Sequence, residues 1–341
     1  MKIRPIRLVL TMVLLCLLHS GCQAAEENYI CKVGDEEIPV GVYIYWQVLA
    51  TREAIDHLPD GTALDAAIWR QNIGGIPVED WINAEARADL LRQVGAEALF
   101  DKMGLAIDLE ARADLDSWVE GEWRAISAAH EKSGIAKSSF YRVNESIQKQ
   151  RLLFLLLYGE DGSEALSTQE IQAYFRADYA RFTYLHYVKS GDSTGSPDAA
   201  KNSVMRTEAA GYYDRARAGE DFYSLLDERN GTTGQDYSDF YYMTTRDTFV
   251  DYPAELIEQV FDTPIGEVGL CETETYIFVF LRQDPMTNPE DYAALEFNLR
   301  YSLRGEVFEQ MLTQKAASLS ITISERSLKK YRPSNINLGS I

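Results

Sequence analysis

The stretch Tyr179-Ala-Arg-Phe-Thr-Tyr-Leu-His-Tyr-Val-Lys189 constrains the fold more than any other part of the chain. It follows a long run of helical character. Aromatic and β-branched residues crowd it, so it reads as a strand. It therefore separates an α-rich part from an α+β part that it opens. Residues two apart on a strand share a face, which puts Tyr184 and His186 side by side. A polar, aromatic-rich face on the first strand of a compact domain is a candidate site.

Before this strand the chain alternates helices and breaks. Tyr29 to Ile38 predicts a small hairpin turned by Gly34-Asp35 and ended by Pro39. Val42, Tyr45, Trp46 and Leu49 recur at helical spacing, giving a helix to Leu58. Pro59-Asp-Gly-Thr62 breaks it, and helices follow at 79–103, 108–132 and 138–158. The last ends in an apolar run, Leu152 to Tyr158, too short to span a bilayer. Ser167-Thr-Gln-Glu170 is a capping box that opens a helix to Asp178.

After the strand comes a Gly/Ser/Pro loop (Gly191 to Pro197), then helices at 199–218 and 223–228. A strand at Asp239–Met243, a helix at Pro253–Phe261 and a closing strand at Tyr276–Leu281 complete an α+β unit at 180–284. Pro285 and Pro289 mark its exit. A long helix from Glu290 to Ser318 and a short strand at Ser320–Ser324 follow, with a loosely ordered tail expected from Arg332.

With 341 residues the chain has room for two or three domains, and 46% hydrophobic residues supply a core. The formal net charge of −20 argues against nucleic acid, which demands a basic face. It suits solubility and would complement basic polypeptides.

Lys2, Arg4 and Arg7 precede an apolar run from Leu8 to Leu18, the pattern of a signal peptide over 1–21. Ser20-Gly21-Cys22 is similar to a bacterial lipobox, with His19 where an aliphatic residue is usual. Lipidation at Cys22 would leave 22–28 as a tether and hold the protein on the outer face of the cytoplasmic membrane. The alternative is ordinary cleavage after Ala24. Loss of the three basic residues of the leader takes the charge from −20 to −23. Cys31 and Cys271 then remain, either as a disulfide or as two buried thiols.

Metal and phosphate chemistry find no support. His57, His130 and His186 form no ligand-spaced cluster, and there is no Gly-rich phosphate loop or Gly-x-Ser-x-Gly elbow. Acidic pairs are frequent, but 53 acidic residues place them by chance.

Four segments resemble the parvulin family of peptidyl-prolyl isomerases. They are Arg181-Phe-Thr-Tyr-Leu-His-Tyr-Val188, Arg217 to Leu225 (with Gly219-Glu-Asp-Phe222), Gly234-Gln-Asp-Tyr-Ser-Asp-Phe240, and Val260 to Val268 (with Gly266-Glu-Val). With the hairpin, the helical region and the long closing helix, the chain resembles the SurA/PrsA-type extracytoplasmic foldases. That resemblance implies an α+β architecture. A helical chaperone domain (29–178) is completed by a C-terminal helix and strand (286–325), with a 326–341 tail. A parvulin-like domain (180–284), an antiparallel sheet flanked by helices, is inserted in it.

The implied function is a folding factor that binds unfolded or proline-containing exported polypeptides, with no cofactor. Isomerisation breaks no bond. The enzyme must only stabilise a twisted amide against a rotation barrier of ~18–20 kcal/mol. The implied catalytic positions fall on Tyr184 or His186, on Tyr276 beside Ile277, and on Glu228 beside Asp227. Phe240, Tyr252, Leu256 and Phe261 would line a proline cup. Tyr184 thus stands where the family places its first histidine, and Ile277, beside Tyr276, where it places the second, which implies a degenerate site. The alternatives are an active isomerase using the Tyr/His-substituted site, and a solute-binding lipoprotein.

Labelling the exported protein with a radioactive fatty acid tests the leader. Incorporation is expected in the native chain and lost in Cys22→Ala. A mature N-terminus at Ala25 would show ordinary cleavage instead.

Overall fold

The computed structural model describes residues 28–59, 62, 65, 67–191, 198–232, 237, 240–246 and 252–337. The expected leader, Cys22, the residues 192–197, and Gly234 and Gln235 lie outside them. In chain order the elements are β1 (Tyr29–Val33), β2 (Glu36–Pro39), α1 (Val40–Asp56), β3 (Asn72–Ile73), β4 (Ile76–Pro77), α2 (Val78–Lys102), α3 (Leu109–Ser133), α4 (Lys137–Tyr158) and α5 (Thr168–Asp178). They continue as β5 (Tyr179–Val188), α6 (Ala199–Arg217), α7 (Phe222–Asn230), β6 (Tyr242–Thr245), α8 (Ala254–Asp262), β7 (Val268–Glu272), β8 (Tyr276–Gln283), α9 (Pro289–Ala317), β9 (Ile321–Ile323) and α10 (Glu325–Lys330).

The fold is α+β with antiparallel sheets. It divides into two compact units: the described parts of Met1–Leu157 with Glu306–Ile341, and Tyr158–Gly305. The second unit is wider than 180–284. It takes in α5, whose buried Phe175 packs with Tyr179 and Tyr292.

In the first unit, α1 is the central element. Val40 through Val48 are all buried, on every side of the helix and not along one stripe. A helix apolar all round belongs inside a core. The nitrogen donors it carries inward are paired, while the buried Gln47 Oε1 has no hydrogen-bond partner among the described residues. Trp46 Nε1 donates to Gln93 Oε1 at 2.7 Å, and Gln47 Nε2 donates to Asn83 Oδ1 at 2.9 Å and to the Tyr331 carbonyl at 3.0 Å.

β1 lies in the middle of the sheet β2-β1-β9, so the C-terminal end of the chain completes the sheet begun at the N-terminal end. The described part of the segment expected as a loose tail, up to Asn337, is packed instead. α10 is capped by Ser324, Ser327 Oγ donates to the Tyr29 carbonyl at 2.8 Å, and Ile336 enters the main core. Periodicity over so short a stretch does not register a six-residue helix, and the packing that orders it comes from elements far away in sequence.

In the second unit the sheet order is β6-β5-β8-β7, all antiparallel. β5 and β8 are its centre. The strand expected at Asp239–Met243 begins at Tyr242, where pairing with Phe182 starts. Cys31 on β1 and Cys271 on β7 are free and buried, and burial raises each thiol to about 11. At such values neither is an activated nucleophile.

The first unit depends on close helix contact at Gly95 of α2. A Cβ there would sit 2.0 Å from the Leu312 carbonyl oxygen of α9. Gly95→Ala is therefore expected to cost about 1–3 kcal/mol through overpacking, against the ~1 kcal/mol that alanine normally gains in a helix. Gly121→Ala on α3, with nothing within 4 Å, is expected to stabilise by about 0.5–1 kcal/mol. Urea-unfolding midpoints of the two variants check the opposite signs.

Candidate functional site

The site follows from how the two faces of β5 and β8 are covered. Leu185 and Tyr187 on β5, with Ile277 and Val279 on β8, point to one face, where α6 and α7 pack with Ala209, Phe222, Leu225 and Leu226. Ala180, Phe182, Phe278 and Phe280 point to the other, where α8 packs with Leu256, Ile257, Val260 and Phe261. On β5 the first face is buried from Arg181 to Tyr187. The second opens progressively along β5: Phe182 is fully buried, Tyr184 is half-buried and His186 is exposed.

The cause is a mismatch of lengths. α8 has 9 residues and β5 has 10. At about 1.5 Å per helical residue and about 3.3 Å per strand residue, a ~14 Å helix faces a ~33 Å strand. Among the described residues, one end of the face has no helix over it, and aromatic rings fill it.

The rings there touch in a continuous layer. Tyr184 stacks on Tyr242 with centroids 4.9 Å apart and planes at 22°. Phe278 meets Tyr184 edge-on at 5.3 Å, and His186 lies 5.6 Å from Tyr184 and 5.9 Å from Tyr276. Tyr252 meets Tyr242 at 5.5 Å and Tyr184 at 6.2 Å. Such tilted and offset contacts are favourable arrangements of aromatic quadrupoles.

Of the residues singled out from sequence, Tyr184, His186, Tyr276 and Tyr252 come together in this layer. Phe240 borders it, 40% exposed and 5.7 Å from Tyr242, with its carbonyl accepting from Thr183 Oγ1 at 2.7 Å. Leu256 and Phe261 are buried in the α8 core, so they floor the layer and do not line it. Glu228 is not part of it. It belongs to α7 on the opposite face, where it accepts hydrogen bonds from Arg215 (2.7 and 2.9 Å) and Tyr212 (3.2 Å). Those partners hold its carboxyl below the usual range.

Tyr242 and Phe278 are the residues that sequence reasoning missed. Phe278 shares the parity of Tyr276, so strand alternation was a sufficient signal. Tyr242 needed the register of β6, where it lies opposite Phe182.

The titration behaviour suits binding more than proton transfer. Burial first, and then the Tyr242 hydroxyl, raise the Tyr184 pKa, so Tyr184 stays protonated and can only donate or accept hydrogen bonds. Desolvation by the flanking rings first, and then the Arg229 charge, lower the His186 pKa and keep its imidazole neutral. The layer offers apolar ring faces to a compact apolar group, and hydroxyls to a carbonyl.

The first unit carries a separate apolar surface. Ala111, Leu115, Trp118 and Ile147 line a groove of about 360 Å³ between α3 and α4. Trp118 is 48% exposed and Leu109, at the start of α3, is 89% exposed. No helix among the described residues is long and apolar enough to cross a membrane.

No protein-family model matches the chain, and no curated protein matches it in sequence. The solved structures it is similar to include three foldases, each at a low TM-score. The foldase protein PrsA from Streptococcus pneumoniae str. Canada MDR_19A is 11% identical at a TM-score of 0.34, over 71% of this chain and 86% of that one. The foldase protein (PrsA) from Lactococcus lactis is 12% identical at 0.34, over 89% and 98%. PrsA from Bacillus subtilis is 13% identical at 0.28, over 72% and 86%.

The His186 pKa gives a pH test with a definite sign. Its folded value lies below the ordinary histidine value of ~6.5, so the neutral ring favours the fold. That stability is full above pH ~6.5 and is lost as pH falls from there through the depressed folded value. NMR titration of the His186 ring is expected to show a midpoint below ~6.5, rising toward it in Arg229→Gln.

Proposed function

We propose that this protein is an extracytoplasmic folding factor that binds unfolded, proline-containing exported polypeptides on the aromatic layer of its second unit. The observation that carries the proposal is the half-open row of Tyr184, Tyr242, Tyr252, Tyr276 and His186, which packs against the α8 cluster and opens to solvent toward His186. A proline ring is compact and apolar and has no N–H to satisfy, so packing against ring faces suits it. The exposed Trp118 groove on the first unit supports a second contact with apolar segments. Export and a lipid anchor at Cys22 belong to the same proposal and rest on the leader.

On this reading the domain binds proline segments without accelerating their isomerisation. Catalysis requires groups that favour the twisted amide over the planar one. Tyr184 is a fixed neutral hydroxyl, and Glu228 is held by Arg215 on the far face. One observation favours the rival reading of an active isomerase: the neutral His186 ring stands beside both Tyr184 and Tyr276.

Isomerisation of a short X-Pro peptide in the presence of the full chain separates the two. The expected result is the uncatalysed rate, with peptide binding weakened about two- to tenfold in Tyr242→Ala. Acceleration that Tyr184→Phe or His186→Ala abolishes would establish the enzyme. Aggregation of a denatured polypeptide is expected to slow in the presence of the protein, and unchanged aggregation would remove the folding-factor reading.

A further inference from the structure

The packed C-terminal segment builds a cavity that the aromatic layer does not explain. It lies in the first unit, has a volume of about 340 Å³, and is walled by α1, α2, α10 and the turn after α10. Three cations line it: Arg87 from α2, Lys329 from α10 and Arg332 just beyond. None of the three side chains makes an ion pair or hydrogen bond among the described residues. All three are solvent-exposed, so their donors are open to a ligand from solution.

A neutral donor completes the set. Asn83 also lines the cavity. Its Oδ1 accepts from Gln47 Nε2 at 2.9 Å and from the Tyr43 hydroxyl at 3.1 Å. Gln47 is fully buried and is anchored by its second bond, to the Tyr331 carbonyl. These two donors fix the orientation of the Asn83 amide and leave Nδ2 unused among the described residues. Two guanidinium groups, an ammonium and an oriented amide thus converge on one cavity, all donors with no acceptor of their own.

The charge balance selects the ligand. Glu79 and Asp80, in the first turn of α2, share the lining. Glu79 is engaged by Ser334 Oγ at 2.7 Å. Three positive and two negative charges leave a surplus of one, which a singly charged oxyanion neutralises. A doubly charged phosphate would overshoot it and meet the two carboxylates.

We infer that this cavity binds a carboxylate through Arg87, Lys329, Arg332 and the Asn83 amide. The carboxylate can belong to a small acid or to an acidic segment of a polypeptide. The site is separate from the aromatic layer, and it exists only because the chain end docks on α1 and α2.

The test is NMR titration of the ¹⁵N-labelled full chain with sodium acetate, with an unstructured peptide carrying one Glu, and with inorganic phosphate. Sodium chloride at equal ionic strength is the reference. Acetate is expected to shift the amide signals of 79–87 and 328–333, and the triple variant Arg87→Gln, Lys329→Gln, Arg332→Gln to weaken it by about tenfold or more. Asn83→Asp keeps the acceptor for Gln47 and Tyr43 but replaces the donor by an anion, and it is expected to abolish the response. Tighter binding of the peptide than of acetate assigns the site to polypeptide, and equal binding assigns it to the carboxylate alone. Chloride producing the same shifts, the variants leaving the response unchanged, or phosphate binding more tightly than acetate would each overturn the inference.

Discussion

The antiparallel pairing of β5 with β8 runs unbroken from Arg181↔Gln283 to Val188↔Tyr276 and sets the character of the second unit. The pairing fixes which side chains face α6 and α7 and which face α8. A slip of one residue would exchange the two faces entirely. It would send Tyr184 and His186 under the helix pair and bring Leu185 and Tyr187 into the open. Arg181 anchors one end of the pairing. It is buried, lies 3.4 Å over the Tyr241 ring and bonds to Gln283, its opposite number in the register. Such a long cation is held in place by stacking and by directed hydrogen bonds together.

The first unit depends on a different constraint, the closure of a sheet by residues from the two ends of the described chain. β1 is paired on both sides, and its second partner, β9, follows α1 to α9 in the chain. α1 lies in the same core, and from Val40 to Val48 it has no solvent-facing residue. The same closure docks α10 and the turn after it against α1 and α2. Exposed cations of the C-terminal segment are in this way carried to the mouth of a cavity that neither end of the chain could form alone.

Much of this was legible in the residues. The hairpin at Gly34, the capping box of Ser167 with Glu170, the strand opened by Tyr179 and the long helix after Pro289 all form close to where local pattern places them. These are signals carried by residues within a few positions of one another. The α1 stripe was a different matter. Val42, Tyr45, Trp46 and Leu49 mark one apolar side, but burial of Val40 to Val48 on all sides depends on what surrounds the helix. Glu228 shows the same limit at the candidate site. Spacing brings it near the aromatic residues in sequence, while the sheet stands between their faces.

The sequence by itself determined the α+β alternation, the strand that carries Tyr184 and His186 on one side, and the tyrosines that occupy that side. These depend on backbone propensity and on a side-chain period of two, both local properties. Tertiary structure alone decided that α8 is too short to cover the face, that Tyr242 joins the layer from β6, and that Leu256 and Phe261 lie beneath it. It also decided that the segment from α10 to Ile336 is packed and carries Lys329 and Arg332 to the cavity lined by Arg87. Each of these depends on where a distant element comes to rest, and no local pattern encodes that position.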